Sequence, residues 1–287
     1  MNASELMSGR SLFVWEINAL GEPQNLIKQA KRTGIETLII KAADGAIVWP
    51  QFAKYAKAFK DAGLRVVAWS YIYAVNLPQA AQALCAAVDV GADGLVIDAE
   101  VEFEKVGKGA TLARELCQLI RDKAKNIPIG YTSFGLPNLH SLFPYQEFSV
   151  GTDFVMPQLY FADSGYPPDL MLQQSVEQLV KYHKPIIPVG QAYGQVTPQQ
   201  VDTFLTSALS HRLSGVSWWS AQAMTGPVDR ALTDSPIYQP LASTPITPTR
   251  YSVWTGYFPT QKDASMAAAD IKNHFGWNSI VEEGKPQ

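Results

Sequence analysis

The chain has 287 residues, of which 47% are hydrophobic and 17% are charged, with a formal net charge of −3. This length and apolar fraction suit one large domain, or one domain with a small appendage. Lysine and arginine form no cluster of the kind that nucleic acids or anionic membranes attract, and no apolar run approaches the ~20 residues of a membrane-spanning helix. The composition therefore predicts neither a nucleic-acid partner nor a membrane partner.

Eight short apolar runs, rich in β-branched and aromatic residues, recur through the first part of the chain. They are Leu12–Ile17, Thr37–Lys41, Val66–Ile72, Gly94–Asp98, Ile127–Tyr131, Phe154–Tyr160, Pro185–Gly190 and Gly215–Trp219. Segments with a helical pattern, such as QFAKYAKAFKDAG, separate most of them. Alternating strands and helices predict parallel strands joined by crossover helices. Eight such units favour an α/β fold of the (β/α)8, or TIM barrel, type over an open doubly wound sheet, and no GxGxxG or P-loop sequence supports the open sheet.

The composition changes after Tyr238. The stretch QPLASTPITPTR is rich in Pro, Ser and Thr, which is typical of a linker. The remaining residues show a short β-α-β pattern, too few for a robust core of their own. We therefore predict a barrel over 1–240, a linker over 241–250 and a small or partial C-terminal module over 251–287.

The fourth apolar run ends in acids, as DGLVIDAE. Side chains two apart share a face of a strand, so Val96, Asp98 and Glu100 lie together, while Leu95 and Ile97 face the other way. In a barrel this places Asp98 and Glu100 at the C-terminal mouth, where barrel active sites lie. The later Glu102 and Glu104 are expected in a solvent-exposed loop.

The other strand ends carry amides, aromatic rings and single charges. The predicted substrate-binding residues there are Glu16, Lys41, Tyr71, Tyr131, Gln158, Tyr160, Gln191, Trp218 and Trp219. On the first strand, Glu16 is placed on the face opposite Trp15. Rings that stack on sugar faces, together with amides and acids that bind hydroxyls, are typical of a carbohydrate site. The scattered histidines and two cysteines have no metal-ligand spacing, so neither a metal nor a cofactor is predicted.

The stretch LIIKAADGAIVWPQFAKYAKAFKDAGLRVVAWSYIY, followed by Asp98-Ala99-Glu100, resembles the family 25 glycoside hydrolases, which are lysozymes. DGLVIDAE, VMPQLY and GVSWW are also similar to signatures of the chitinase-like family 18, although Val96 stands where that family has a further acid. The resemblance implies cleavage of an N-acetylhexosamine polymer such as peptidoglycan, with Glu100 as proton donor. Family 25 has an Asp-x-Ser at the end of the first strand. This chain has VWEINA there, with Glu16 as the available acid.

The tail YSVWTGYF…DASMAAADIKNHFGWNSIVEE resembles the first half of a sporulation-related repeat that binds peptidoglycan. Together these features lead to a first hypothesis, a monomeric glycosidase whose partner is a polysaccharide. Glu100 is its general acid, and Asp98 orients the substrate's N-acetyl group or stabilises positive charge. The first ten residues lack the apolar stretch of a signal peptide, so the chain does not disclose how it reaches an extracellular or cell-wall glycan.

Two other hypotheses remain open at this point. In the second, the barrel binds glycan without cleaving it, which the altered end of the first strand favours. In the third, Lys41 forms a Schiff base with a carbonyl substrate. Neighbouring carboxylates oppose the third hypothesis, because a lysine must lose its proton to become a nucleophile.

Overall fold

The computed structural model describes residues 1–236, residue 238 and residues 260–275. The chain divides into two compact units, Met1–Thr244 and Pro245–Gln287. The described part of the second unit is centred on one helix, Gln261–Phe275. The predicted linker over 241–250 and the two predicted strands of the C-terminal module lie outside the described residues, so the domain boundaries stay a prediction.

The first unit contains a closed barrel of eight parallel strands, which confirms the predicted fold class. Its strands, with one short additional strand β3, are β1 (Gly9–Val14), β2 (Ile35–Asp44), β3 (Ile47–Val48), β4 (Arg65–Tyr71), β5 (Gly94–Asp98), β6 (Ile129–Phe134), β7 (Phe154–Leu159), β8 (Val189–Gln191) and β9 (Gly215–Trp219). Neighbouring strands follow the order β1-β9-β8-β7-β6-β5-β4-β2, and the pairing of β1 with β2 closes the circle. The exception to the parallel arrangement is β3, which forms an antiparallel hairpin with the end of β2.

Helices connect successive strands and form the outer layer. Among the described residues these helices are α2 (Pro23–Arg32), α3 (Pro50–Asp61), α4 (Leu77–Asp89), α5 (Val101–Lys105), α6 (Gly109–Lys123), α7 (Tyr145–Gly151), α8 (Phe161–Ser164), α9 (Pro168–Leu179), α10 (Pro198–Ser210) and α11 (Gly226–Asp234). A short helix, α1 (Ala3–Leu6), precedes the first strand, and α12 (Gln261–Phe275) belongs to the second unit. Proline occupies the first turn of most of the longer helices, where its missing N–H is not needed. No helix within the described ranges is long and apolar enough to cross a membrane.

All eight predicted strands are present; β5 and β9 have the predicted bounds, and the ends of the others are shifted. The first strand runs over Gly9–Val14 instead of Leu12–Ile17, β8 begins at Val189 instead of Pro185, and β6 runs over Ile129–Phe134 instead of Ile127–Tyr131. The hairpin strand β3 was not predicted, because two residues are too short a run to give a periodic signal.

Two apolar layers surround the strands. One fills the barrel interior and includes Phe13, Ile39, Val67, Val96 and Met156. The other, larger layer lies between the barrel and its helices. The strands are therefore buried on both faces, which explains why their sequences are nearly continuous apolar runs.

Helix α1 closes the base of the barrel. Leu6 and the following Met7 are fully buried and belong to the interior layer. Two strands begin with glycine next to this segment: a Cβ on Gly94 would lie 2.5 Å from a methyl carbon of Leu6, and one on Gly215 would lie 1.9 Å from the carbonyl oxygen of Met7. Glycine at these positions therefore lets the N-terminal segment approach the strands. The mouth at the opposite end is left as the open face.

Candidate active site

Asp98 and Glu100 lie together at the C-terminal mouth. Asp98 is the last residue of β5, and Glu100 immediately precedes α5. One amide nitrogen, Gln158 Nε2, donates to Asp98 Oδ1 over 3.3 Å and to Glu100 Oε1 over 2.9 Å. Gln158 is near the end of β7, two strands away from β5 in the barrel. Closure of the barrel therefore joins two acids and an amide that are about 60 residues apart in sequence.

The environment of Asp98 favours its neutral form. Its side chain is almost completely buried above the apolar interior, next to Val96 on the same face of β5. Burial raises the pKa of the Asp98 carboxyl well above its usual range, and the adjacent Glu100 raises it further, against a smaller opposing effect of Lys41. The Asp98 carboxyl therefore holds its proton more strongly than a solvent-exposed acid does.

Tyr160 completes this part of the mouth. It follows β7 directly and precedes α8. Burial raises the pKa of its phenol well above the usual range, and the negative charges of Asp98 and Glu100 add to this effect. The hydroxyl is therefore a hydrogen-bond donor beside the acid pair. Asp98, Glu100, Gln158 and Tyr160, all predicted site residues, occupy one region.

A second acid lies near the pair, where the sequence predicted an exposed loop. Glu102 is half-buried in α5 and accepts a hydrogen bond of 2.8 Å from the hydroxyl of Tyr71. Burial, this bond and the charges of Glu100, Glu102 and Asp98 raise the pKa of Tyr71. Glu104 is also half-buried and contacts His140 Nδ1 over 3.2 Å. The prediction of two solvent-exposed acids is therefore wrong, because the chain turns into a helix directly after Glu100.

Lys41 is enclosed rather than presented to solvent. The register of β2 against β4 is broken between Lys41 and Ala43. Lys41 pairs with Trp69, and Asp44, three residues later, pairs with Tyr71, two residues later. The side chains of Lys41 and Asp44 therefore point to the same side. Lys41 Nζ forms an ion pair of 3.0 Å with Asp44 and lies 4.5–5.1 Å from the ring centres of Trp15, Trp49 and Trp69. An ammonium in such a cage supplies charge to the site but makes no free contact for a substrate.

The two tryptophans that end β9 face opposite ways. Trp219 is half-buried in the mouth, where its ring packs against Phe13, Trp15 and Trp69. Trp218 is fully buried on the other face of the strand and packs edge-to-face on Phe204 of α10. The prediction that Trp218 contacts a substrate is therefore wrong. Of these two residues, Trp219 is the one at the mouth.

Tyr131 also lies in the outer layer. It is fully buried, its ring stacks on Phe148 of α7, and its hydroxyl is 3.0 Å from the Ser149 hydroxyl. The predicted substrate contact is wrong because β6 continues to Phe134, so Tyr131 lies within the strand and points toward the helices.

At the end of the first strand, the residue that faces the mouth is also not the one that the sequence predicted. Trp15, which is 46% exposed, is the residue that turns toward Lys41 and Trp219. Glu16 is exposed, and its backbone carbonyl accepts a hydrogen bond from Gln222. Its predicted position on the inward face, opposite Trp15, is wrong. The alternation of Phe13 and Trp15 on one face is the sequence signal that could have identified Trp15 instead of Glu16.

Gln191 lies at the mouth, but its amide is already hydrogen-bonded to other protein groups. Its side chain is fully buried, and both atoms of its amide bind protein groups in the segment after β7 and in its own loop. The predicted direct contact between Gln191 and a substrate would therefore require the loss of one of these hydrogen bonds.

Several residues of the mouth were not predicted: Trp15, Asp44, Trp49, Tyr73, Glu102, Asp163 and Tyr193. Two of them contact each other, since the Tyr73 hydroxyl donates a hydrogen bond of 2.8 Å to the Asp44 carboxylate. Most of these residues lie in loops just beyond a strand end, where strand periodicity carries no information. In the part of the chain that the structure describes, no group of three or more His, Cys, Asp or Glu side chains has the geometry of a metal site.

No protein-family model matches this chain, and no curated protein sequence matches it. Solved structures match its fold. The spore cortex-lytic enzyme SleL of Bacillus megaterium QM B1551 superposes with a TM-score of 0.58 at 10% identity, over 79% of this chain and 73% of that chain. The family 18 chitinase ChiB of Flavobacterium johnsoniae gives 0.58 at 11% identity, over 79% and 93%.

A family 18 chitinase of Cycas revoluta, solved with (GlcNAc)4, also gives a TM-score of 0.58, at 14% identity over 79% of this chain and 99% of that chain. At these identities the likeness establishes a shared fold and no more. Two of these three structures are family 18 chitinases, and the resemblance of this chain to family 25 lysozymes stays a prediction.

Proposed function

We propose that this protein is a glycosidase that cleaves an N-acetylhexosamine-containing glycan of the chitin or peptidoglycan type. One observation carries the proposal: the buried Asp98 and the adjacent Glu100 share the Gln158 amide at the open end of the barrel. Glycoside hydrolysis needs a group that protonates the leaving oxygen and a means of stabilising the positive charge left on the sugar. Two adjacent acids beside aromatic rings, one of them buried, supply both.

In this mechanism Glu100 gives its proton to the glycosidic oxygen as the bond to the anomeric carbon breaks. The acetamide oxygen of the same sugar then bonds to that carbon, so no enzyme nucleophile is required. Water then attacks the anomeric carbon and breaks its bond to the acetamide oxygen. Glu100 accepts the proton that this water loses. Asp98 holds the acetamide through a hydrogen bond and, when ionised, stabilises its positive charge.

The surrounding residues have matching roles. Tyr160 donates its hydroxyl to the acetamide oxygen, and Gln158 keeps the two carboxyls in place. Trp219 lies under the reacting sugar, with the exposed Trp15 extending the platform next to it, at a ring-centre distance of 6.1 Å. Sugar rings stack on such surfaces because their C–H faces are apolar. The names of the structural relatives, chitinases and a spore cortex-lytic enzyme, support a glycan of this class, which lies outside the cell or in its wall.

Turnover assays on chitooligosaccharides and on purified peptidoglycan test the proposal, with release of reducing ends as the readout. The wild-type protein is expected to cleave at least one of them, and Glu100→Gln is expected to lower kcat by at least about 10²-fold while keeping affinity, since general acid catalysis contributes this much. An equal rate in wild type and Glu100→Gln would falsify the assignment.

A barrel that binds glycan without cleaving it is the second candidate. It is favoured by the end of β1, which presents Trp15 where family 25 has an acid, and by Val96, an apolar residue where family 18 has a further acid. The same assays separate the two candidates: binding with no turnover, unchanged in Glu100→Gln, would support this one.

A further inference from the structure

The amide of Gln191 has all of its hydrogen-bonding positions filled. Its Oε1 accepts from the backbone N–H groups of Ala162 (2.9 Å) and Asp163 (3.2 Å), and its Nε2 donates to Asp163 Oδ1 (2.8 Å) and to the Tyr193 carbonyl (3.3 Å). A primary amide accepts two hydrogen bonds and donates two. A substrate could therefore bind this amide only by displacing one of these partners.

The partners of Gln191 belong to the segment that follows Tyr160. Ala162 and Asp163 lie in α8, which begins one residue after Tyr160. Tyr193 adds a second connection, because its hydroxyl donates to Asp163 Oδ2 and its ring contacts the Tyr160 ring edge-to-face at 5.8 Å. Side chains at the end of β8 thus bind both the backbone after Tyr160 and the tyrosine ring itself.

We propose that Gln191 is a positioning residue that fixes Tyr160 in the mouth of the barrel. The proposal rests on the proposed function, in which the Tyr160 hydroxyl contacts the reacting acetamide. Gln191 does not touch the substrate; it fastens Ala162 and Asp163, and thereby sets where the preceding Tyr160 leaves β7. Asp163 and Tyr193 assist it from the solvent side.

Burial makes the contribution of Gln191 larger than that of an exposed hydrogen bond. Its side chain is fully buried, whereas Asp163 is exposed. Loss of the amide leaves two backbone N–H groups without their acceptor, and a donor without a partner is costly when it is shielded from water. The α8 segment is then expected to move until water reaches these groups, and a displacement of ~1 Å at a group that acts on substrate can cost about 10²-fold in rate.

The test compares Gln191→Met with Gln173→Met. Gln173 is an exposed residue of α9 whose amide donates to Glu177, so the control makes the same chemical change away from the mouth. Three properties are measured on the full chain: hydrogen exchange of the Ala162 and Asp163 amides, the 13C resonances of labelled Tyr160, and kcat and KM on the oligosaccharide that the wild type cleaves.

Gln191→Met is expected to speed exchange at both amides, to shift the Tyr160 resonances and to lower kcat by about 10- to 100-fold with KM within about twofold. In a Tyr160→Phe background the same substitution is expected to lower kcat little further, because both changes act on one contact. Gln173→Met is expected to match the wild type in every measurement. A raised KM with unchanged kcat, exchange and resonances would overturn the proposal and return Gln191 to a substrate-binding role.

The role of Gln191 can be tested even if the wild-type protein shows no turnover. If the wild type cleaves no glycan, the proposed function fails, while exchange and the Tyr160 resonances still decide whether Gln191 positions this tyrosine. If Gln191→Met does not fold, Asp163→Ala serves instead, since it removes one acceptor of Gln191 and the acceptor of Tyr193. It is expected to shift the Tyr160 resonances in the same direction by a smaller amount, and an unshifted Tyr160 would overturn the proposal.

Discussion

The side-chain amide of Gln158 donates a hydrogen bond of 2.9 Å to Glu100, and the same nitrogen lies 3.3 Å from the Asp98 carboxyl. This single donor keeps two acids in contact that would otherwise repel each other once both are ionised. Its removal should therefore affect catalysis without creating a large cavity.

Gln158→Leu is expected to lower kcat by about 10- to 100-fold with a smaller change in KM, because loss of one preorganised donor at an active site costs at least this much. Steady-state kinetics on the preferred oligosaccharide measure the effect. The matched control is Gln118→Leu, at an exposed position of α6 whose amide donates to Asp122. Equal kinetics for the two variants would remove Gln158 from the site.

Asp98 is expected to make the stability of the protein depend on pH. Its folded-state pKa is raised above the ordinary value of 3.8, so the folded protein binds this proton more tightly than the unfolded chain does. The stabilising effect of this proton is complete below pH 3.8 and is lost as pH rises through the folded-state pKa, with a slope of up to about 1.4 kcal/mol per pH unit.

Asp98→Asn removes this titration. The variant is expected to become progressively more stable than the wild type as pH rises above 3.8, and the difference is expected to vanish at lower pH. Thermal unfolding across a pH series measures it, with Asp169→Asn, an exposed acid in the first turn of α9, as control. A difference that does not vary with pH would contradict the raised pKa.

Adjacent tryptophans allow a direct test of which face of β9 meets the substrate. Trp219→Ala is expected to weaken glycan binding, since its ring lies in the mouth. Trp218→Ala removes a buried ring from the layer under α10 and is expected to lower the free energy of unfolding by about 3–5 kcal/mol. Oligosaccharide titration and denaturant unfolding separate the effects. Weaker binding in a folded Trp218→Ala, with normal binding in Trp219→Ala, would reverse the assignment.

Lys41 is not expected to form a Schiff base. Its Nζ contacts the Asp44 carboxylate and three indole faces, so attack on a carbonyl would require the loss of these contacts. Incubation with a small aldehyde and borohydride, followed by peptide mass spectrometry, should show no adduct on Lys41, while exposed lysines such as Lys57 serve as the internal positive control. A Lys41 adduct that forms at least as readily as that of Lys57 would support the carbonyl chemistry instead.

Arg10 provides a variant that should change stability alone. It is buried at the base of the barrel, where its guanidinium donates to the carbonyls of Thr33, Leu232 and Pro236 over 2.6–2.8 Å. Arg10→Met is expected to lower the free energy of unfolding by about 3 kcal/mol, because buried acceptors lose their donor. It should leave kcat unchanged, since the base lies opposite the mouth. Denaturant unfolding and kinetics test both statements, and a kcat that falls while the fold is intact would contradict the second.

The sequence was sufficient to predict the barrel and the location of the acid pair. Period-2 alternation along β5 assigned Asp98 and Glu100 to one face correctly, because this strand is short, regular and followed at once by a helix. The errors have a shared physical origin, which is that alternation gives the relative but not the absolute facing of side chains. In GVSWW, either tryptophan could be the inward one until the pairing of β9 with β1 and β8 fixed the register.

Irregular backbone accounts for the remaining differences. The register break after Lys41 brings Asp44 to the same side as Lys41, an arrangement that strict alternation forbids. Tyr131 was misplaced because the apparent end of its strand was three residues too early. The bonds between Gln191 and the α8 segment join loops from two different strands, and nothing local in either loop predicts them.

The side chains that fill the barrel interior, together with Leu6 and Met7 across its base, leave the mouth as the single face through which a ligand can reach Asp98 and Glu100. A polymer cannot thread through it, so a glycan must lie across the rim. The attacking water would then enter, and both cleavage products would leave, through the same opening.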